Sequence, residues 1–387
     1  MKGVFTIMLL LKNATIYPQT EEAPFVGDVL CENGRIKKIG QNLSAEDAEV
    51  IDLIGLNLLP GIVDCHSHAG LGPDGDVAAL AYGTDTAHPV SPEMDVIYAA
   101  DPTNECYRWA VENGVTTLGV IPGSSDIIDG TGFATRTWGD NIFEMCLKRN
   151  MCMKLSLGEN PKGMFQNQRM EPDSRMGVTF ILEEYFSNAK DYMDKKERGE
   201  QVEYNEQYEV AIPVLKREIP ARIHCTHNDM AAAIQCLSKY NIRFTIEHAW
   251  GSGNYLDEIV DSGCGIVYGP IGGRKSFYES RFVDIDAVAK LDKTGTLCCL
   301  TVDSPLEGLD SLLSHAEQAV REGTDPLHVL RMITINPAKV IGMDEELGSI
   351  EEGKYANFAV FKGLPGTDMG AHVVYTIGEG NVLYHRA

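Results

Sequence analysis

The sequence predicts an α/β protein built on a (β/α)8 barrel of TIM type, joined to a small β unit made from both chain ends. Three observations carry this expectation. Between residues 62 and 321, short apolar runs alternate with helical patterns, as in a parallel sheet covered by helices. Before residue 60 and after residue 347, strands and turns recur without helices. No glycine-rich phosphate fingerprint follows the first barrel strand, which disfavours a doubly wound open sheet. The division expected is 1–60 and 347–387 for the β unit and 61–346 for the barrel. A chain of 387 residues accommodates a barrel of ~250 residues and such an appendage.

The N-terminal unit opens with Met8-Leu9-Leu10-Leu11, then Gly27 to Cys31. Glu32-Asn33-Gly34-Arg35 reads as a hairpin turn into Ile36 to Ile39, because Asn-Gly supplies the positive φ angles that such a turn needs. Val50 to Leu53 and Asn57 to Leu59 complete the unit. Barrel strands are expected at Ile62 to Cys65, Val115 to Ile121, Cys152 to Leu157, Ala221 to Cys225, Arg243 to Glu247, Gly265 to Tyr268 and Leu297 to Val302, with a weak one at Thr131 to Thr135. Helical patterns lie between them at Asn104 to Glu112, Asn141 to Arg149, Ser174 to Lys196, Met230 to Lys239, Tyr255 to Val260 and Leu306 to Arg321. The C-terminal strands are expected at Gly348 to Gly353, Asn357 to Phe361, Val373 to Thr376 and Asn381 to Tyr384, pairing with the N-terminal ones.

Composition narrows the function classes. The net charge is −23 and the pI is near 4.8, which argues against nucleic acid or an anionic membrane as partner. No apolar run is long enough to span a bilayer. The stretch from Met1 to Leu11 lacks an A-x-A-like cleavage site and reads as structure. The ten cysteines form no C-x-x-C pair, so reduced buried thiols and a cytoplasmic location are expected. The helix carrying Tyr185 to Met193 offers a surface for a homo-oligomer.

The chemistry centres on Pro60-Gly61-Ile62-Val63-Asp64-Cys65-His66-Ser67-His68. A His-x-His pair at a strand end aims two imidazoles at one point, since strand side chains two apart share a face. Neutral imidazoles converging in this way suit a borderline-soft divalent metal such as zinc. Barrels carry reactive groups at the C-terminal ends of their strands. His224 follows the apolar run of the fifth strand and is a better ligand than His227, which falls at a helix entry and is placed to meet substrate. His248 ends the sixth strand, and Asp303 follows the last. His88, His315, His328, His372 and His385 lack a strand-end context and read as surface or capping residues. Ala69 to Pro102 is a long insertion after the first strand, expected to cover substrate. Arg136, Arg169, Arg175 and Arg274 are possible partners of a substrate carboxylate, although surface charge is the simpler reading of each.

These pieces resemble the amidohydrolase superfamily, in its imidazolonepropionase-like and prolidase-like branch. The matching motifs are PGIVDCHSH, GVTTLGVIPGS, KLSLGENPKG, RIHCTHNDM, FTIEHA, TVDSP, TINPAKVIG and LGSIEEGKYANFAVF, spread over nearly the whole chain. The resemblance implies a flanking β-sandwich built from both ends and metal-dependent hydrolysis with one or two divalent ions, zinc foremost. It makes His66, His68, His224 and His248 ligands, and Asp303 both ligand and proton shuttle. At the fourth strand, relatives use either a carboxylated lysine or a glutamate. Glu159 is favoured, lying where the strand should end and needing no modification; Lys154, sharing a face with Ser156, is the alternative.

The expected activity is hydrolysis of a non-macromolecular C–N bond in a small-molecule amide or cyclic amide. Release of ammonia from a heterocycle ranks lower, because deaminases of the superfamily add a glutamate near the fifth-strand histidine and Cys225 to Asp229 contain none. A non-enzymatic scaffold of the same fold ranks lower still, since scaffolds lose the ligands that this chain keeps.

Overall fold

A computed structural model describes residues 8–73, 82–272 and 278–386. Met1 to Ile7, part of the 69–102 insertion and Arg274 lie outside the described residues.

Five strands open the chain: β1 (Met8–Ile16), β2 (Phe25–Glu32), β3 (Arg35–Gly40), β4 (Glu49–Asp52) and β5 (Asn57–Pro60). Eight more follow: β6 (Ile62–Ser67), β7 (Val115–Val120), β8 (Ile128–Arg136), β9 (Cys146–Ser156), β10 (Ala221–Cys225), β11 (Phe244–His248), β12 (Gly265–Tyr268) and β13 (Cys298–Leu300). The last three are β14 (Phe358–Lys362), β15 (His372–Gly378) and β16 (Asn381–His385).

The two chain ends share one sheet, in the order β16-β15-β14-β5-β1-β2-β3, with β4 parallel to β1. The join is the antiparallel pairing of β5 with β14, Leu58 opposite Val360 and Leu59 opposite Ala359. Alternation along these strands serves two cores. Leu58, Phe358 and Val360 pack with Leu9, Leu11, Ile16 and Ile377, while Leu59, Ala359 and Phe361 face the barrel core. Asn33 and Gly34 both take positive φ, 53° and 78°, in the turn between β2 and β3. The expected strand at Gly348 to Gly353 is a turn segment. Gly348 and Gly353 hold φ of 89° and 95°, which a strand does not accommodate, and its amides bond Pro18 O and Ile36 O from Ile350 and Gly353.

The second sheet runs β13-β12-β11-β10-β9-β8-β7-β6 and curls into a nearly closed barrel. Helices cover it, among them Glu105–Glu112, Arg175–Glu197, Asn228–Lys239, Leu256–Ser262, Asp286–Thr294 and Ser311–Arg321. It departs from the all-parallel expectation at β8, which is antiparallel to both β7 and β9. The segments before and after β8 span only residues 121–127 and 137–145, too short for the crossover that parallel strands require. The helix expected from Asn141 to Arg149 accordingly shrinks to Ile142–Met145, and β9 takes over from Cys146. Tyr185, Tyr192 and Met193 turn inward on the Arg175–Glu197 helix and are buried, so they do not form the free surface expected of them. Among the described residues no helix is long and apolar enough to cross a membrane.

The seam between β13 and β6 is closed by side chains. The Asp64 carboxylate, fully buried, accepts from His66 N (3.0 Å), Thr301 Oγ1 (2.7 Å) and Val302 N (3.2 Å). Thr301 Oγ1 also lies 2.8 Å from His66 O, so the two acceptors share its one proton, and His68 N donates to Ser304 O at 2.7 Å. Asp64→Ala removes one acceptor from three buried donors. The expected loss is about 3 kcal/mol of unfolding free energy, read by denaturant titration of chelator-treated protein. A loss under about 0.5 kcal/mol would show that the seam closes without this carboxylate.

Candidate metal centre

Four histidines and one aspartate meet at the C-terminal end of the barrel. His66 and His68 come from the end of β6, His224 from β10, His248 from the last position of β11, and Asp303 from the segment just after β13. All five are at least 96% buried. Ring centroids lie 5.4 Å apart for His66 and His68, 4.8 Å for His66 and His248, and 4.4 Å for His224 and His248. Asp303 Oδ1 stands 3.1 Å from His68 Nε2 and 3.4 Å from His66 Nε2, and Oδ2 is 3.9 Å from His248 Nδ1. Ligand atoms of His66, His68 and Asp303 all fall within 4.8 Å of one another. His248 and Asp303 hold positive φ, 67° and 56°, a costly conformation for side chains of this kind and one that clusters at functional sites.

One nitrogen of each ring is tied back into the protein, which fixes the ring and frees the other nitrogen. His68 Nδ1 donates to Ile121 O and His248 Nδ1 to Gly269 O, both at 2.8 Å. His66 Nδ1 meets Glu247 Oε2 at 2.6 Å. His224 is held the other way round, with Nε2 at 3.1 Å from Glu279 Oε2. Among the described residues, His66 Nε2, His224 Nδ1 and Asp303 Oδ1 are buried with no aligned hydrogen-bond partner. An unsatisfied His66 Nε2 and Asp303 Oδ1, in a group whose ligand atoms with those of His68 lie within 4.8 Å of one another, are what a divalent cation would satisfy, so this donor set fits one. Burial pushes His66 well below the usual imidazole range and, with His224 beside it, holds His248 down to about 4. Both therefore present neutral rings.

Beneath the histidines lies a buried ionic chain. Arg222 Nε donates to Glu247 Oε1 at 2.9 Å, and Arg222 Nη1 donates to Cys65 O. Thr245 Oγ1 also donates to Glu247, and Arg222, Glu247 and His66 are all fully buried. The strand register explains the grouping. Lys154, Arg222 and Thr245 are paired in one row across β9, β10 and β11, and Ser156, His224 and Glu247 in the next. The intervening Ile223 and Ile246 pack in the apolar core under the helices.

The structure does not bring Glu159 to this cluster. It is the first residue of the helix Glu159–Gln168, and its carboxylate pairs with Lys162 at 3.1 Å and Arg175 at 3.3 Å. Only its backbone is drawn in, Glu159 N donating to Glu279 Oε1 at 3.0 Å. Lys154 is fully buried, with Nζ donating to Gly123 O at 3.0 Å and Ser124 Oγ at 2.6 Å, and burial lowers its pKa. His227 stacks on Phe282 with centroids 4.0 Å apart, away from the other histidines. Arg136 pairs with Glu379 at 3.0 Å, and Arg175 with Asp229 at 2.9 Å; Arg169 is an exposed helix cap. His315 is buried rather than exposed, bridging Thr301 O (3.2 Å) and Glu307 Oε2 (2.8 Å). It shares the inward face of its helix with Leu312, Ala316 and Ala319, a spacing legible in the sequence.

Sequence reasoning passed over Asp64, Arg222, Glu247 and Glu279. Arg222 carried a signal: an arginine two residues before His224 on an apolar strand must share its face. Glu279 carried none, since it arrives from a distant segment. Glu247→Gln keeps the side chain's shape but leaves the Arg222 charge unpaired in the interior. We expect it to cost about 3–5 kcal/mol, with Arg222→Met recovering much of the loss in the double variant. Chemical denaturation of the three variants checks this, and a double variant no more stable than Glu247→Gln would contradict it.

Residues 57–384 match the sequence model described as Amidohydrolase family. The amidohydrolase tasK of Hapsidospora irregularis is 25% identical over 383 residues, an alignment covering 88% of this chain and 38% of tasK. This chain thus spans well under half the length of that relative. A dihydroorotase of Aquifex aeolicus (strain VF5) is 22% identical across 98% of this chain and 99% of its own. The crystal structure of an amidohydrolase from Thermotoga maritima MSB8 superposes with a TM-score of 0.92 at 33% identity, covering 98% of this chain and 100% of the other.

Proposed function

We propose a function on one premise that is not itself a proposal: the chain belongs to the amidohydrolase family. The function is metal-dependent hydrolysis of a C–N bond in a small amide or cyclic amide. The observation that carries it is the convergence of His66, His68 and Asp303, whose ligand atoms lie within 4.8 Å of one another, with His224 and His248 packed beside them and His66 Nε2 and Asp303 Oδ1 buried and unsatisfied among the described residues. These five residues would hold the cation, and the imidazole-rich set favours zinc. When bound, the cation supplies Lewis-acid polarisation of the substrate carbonyl and lowers the pKa of the attacking water.

The chain's own groups do the rest. Asp303, the carboxylate of this cluster, takes the water's proton and delivers it to the leaving nitrogen. Glu247 and Arg222 hold the His66 ring in one orientation, and Ile121 O and Gly269 O do the same for His68 and His248. Of the two fourth-strand candidates, Lys154 lies on the buried face of the barrel, and we assign it, as its carbon-dioxide adduct, to complete the site. Mass spectrometry of the native protein checks for that adduct; finding unmodified Lys154 in metal-loaded protein would remove it from the site.

A second reading, release of ammonia from a heterocycle, is favoured by Glu279. Its carboxylate stands at His224 Nε2 although the residues following His224 contain no glutamate. The assay is turnover of a panel of cyclic amides, N-acyl amino acids, dipeptides and aminated heterocycles, with both carboxylate formation and ammonia measured. Carboxylate formation is the expected outcome, and Asp303→Asn should lower kcat by about 10²–10⁴. Ammonia as the product would select the second reading. Activity of Asp303→Asn within about threefold of the parent would overturn the proton-shuttle role.

A further inference from the structure

Beside the metal centre lies a cavity whose charge the hydrolysis leaves unused. The segment after the first barrel strand folds back onto the start of β8: Ser91 N donates to Ile128 O and Thr131 N to Met94 O, both at 2.8 Å. Gly130 makes this approach possible, since a Cβ there would sit 2.3 Å from Met94 O. Between segment and strand opens a cavity of about 650 Å3, with Asp85, Met94, Val96, Tyr98, Asp126 and Asp129 in its wall.

Asp126 is completely buried, and among the described residues neither carboxylate oxygen has a hydrogen-bond partner. Asp129 is 3% exposed; among the described residues Oδ1 has no partner, and Oδ2 is 3.4 Å from Ser156 Oγ. A carboxylate stripped of water without a partner costs several kcal/mol, roughly, unless a cation or a proton meets it. As an ammonium Lys154 pulls both acids down, but its Nζ is engaged by Gly123 O and Ser124 Oγ, and as the carbon-dioxide adduct assigned above it offers them no positive charge. Burial, reinforced by Asp85, pushes Asp126 up to about 8. Asp95 at the rim is already matched by Arg149 at 2.6 Å.

The cavity is built for an organic group rather than a lone metal ion. Its volume falls in the range of small-molecule sites, roughly 300–1,000 Å3, and Met94, Val96 and Tyr98 give it an apolar side. It also adjoins the chemistry: Pro122 lines it, and the preceding Ile121 O holds His68 Nδ1. We propose that this cavity binds an alkylammonium group of the substrate, with Asp126 as its counter-ion, Asp129 and Asp85 in support, and Met94 and Tyr98 along the alkyl stem. The hydrolysed amide is then one that carries a cationic side chain. The word substrate rests on the hydrolase reading above; the cation site itself does not.

The test separates the two. Binding of n-pentylamine, 1-pentanol and pentanoate is measured by calorimetry at pH 7.5 on the wild-type chain and on the His66→Ala/His68→Ala variant. The amine should bind about tenfold or more tightly than the alcohol in both proteins, and pentanoate should not bind. Asp126→Asn should abolish the preference for amine, and Asp129→Asn should weaken it, so that a folding failure in one variant leaves the other informative. In turnover, the kcat/KM ratio of a cationic amide to its neutral isostere should fall about tenfold or more in Asp126→Asn. Equal binding of amine and alcohol by the wild type would overturn the proposal. So would a folded Asp126→Asn that keeps the preference. Amine binding without any amide turnover would retain the cation site and discard the hydrolase reading instead.

Discussion

The site depends on one buried ionic chain, Arg222 to Glu247 to His66. Each member is fully enclosed, so the Arg222 and Glu247 charges are tolerable only because each compensates the other. Glu247 is the pivot. It neutralises Arg222, accepts from Thr245, and orients the His66 ring by accepting a hydrogen bond from its Nδ1. Arg222 in turn donates to the Cys65 carbonyl, so the chain also ties β10 and β11 to β6. An apolar isostere of this network could be as stable, but it could not hold an imidazole with its other nitrogen pointing into the barrel mouth. Precise aim at the centre is thus obtained through a polar network in the barrel interior.

That interior differs from an ordinary barrel core. On β9 to β11 one face carries Lys154, Ser156, Arg222, His224, Thr245 and Glu247, while Ile223 and Ile246 face the helices. The apolar packing that stabilises the fold lies chiefly outside the sheet, where the covering helices bury it. Separation of the two tasks lets the inner rows be polar. The antiparallel β8 extends this division. Its start reaches the mouth between β7 and β9, where Asp126 and Asp129 form the wall of the acidic cavity.

Much of this was legible because strand periodicity is short-ranged. Ile62 to Cys65 read as a strand, and from that alone His66 and His68 had to share a direction. The pairing of β5 with β14 followed from matching strand patterns at the two chain ends. What escaped was set by tertiary geometry. The orientation of β8 is dictated by the lengths of its connections, which its own residues do not encode. Glu159 looked like a strand-end acid, but the chain has already turned into a helix there, and Lys162 and Arg175 claim its carboxylate. Glu279 reaches His224 across 55 residues of chain, and no local pattern announces such a contact. His315 has no strand-end context, and its burial is set instead by the inward face that it shares with Leu312, Ala316 and Ala319 on its helix.

The central claim is that these convergent side chains hold a metal, and elemental analysis of the purified chain tests it most directly. At least one divalent ion per chain is expected in the wild type, falling to background in His66→Ala/His68→Ala protein whose circular dichroism is unchanged. Full metal retention by that folded variant, or a wild-type chain that takes up no metal on reconstitution, would contradict the account.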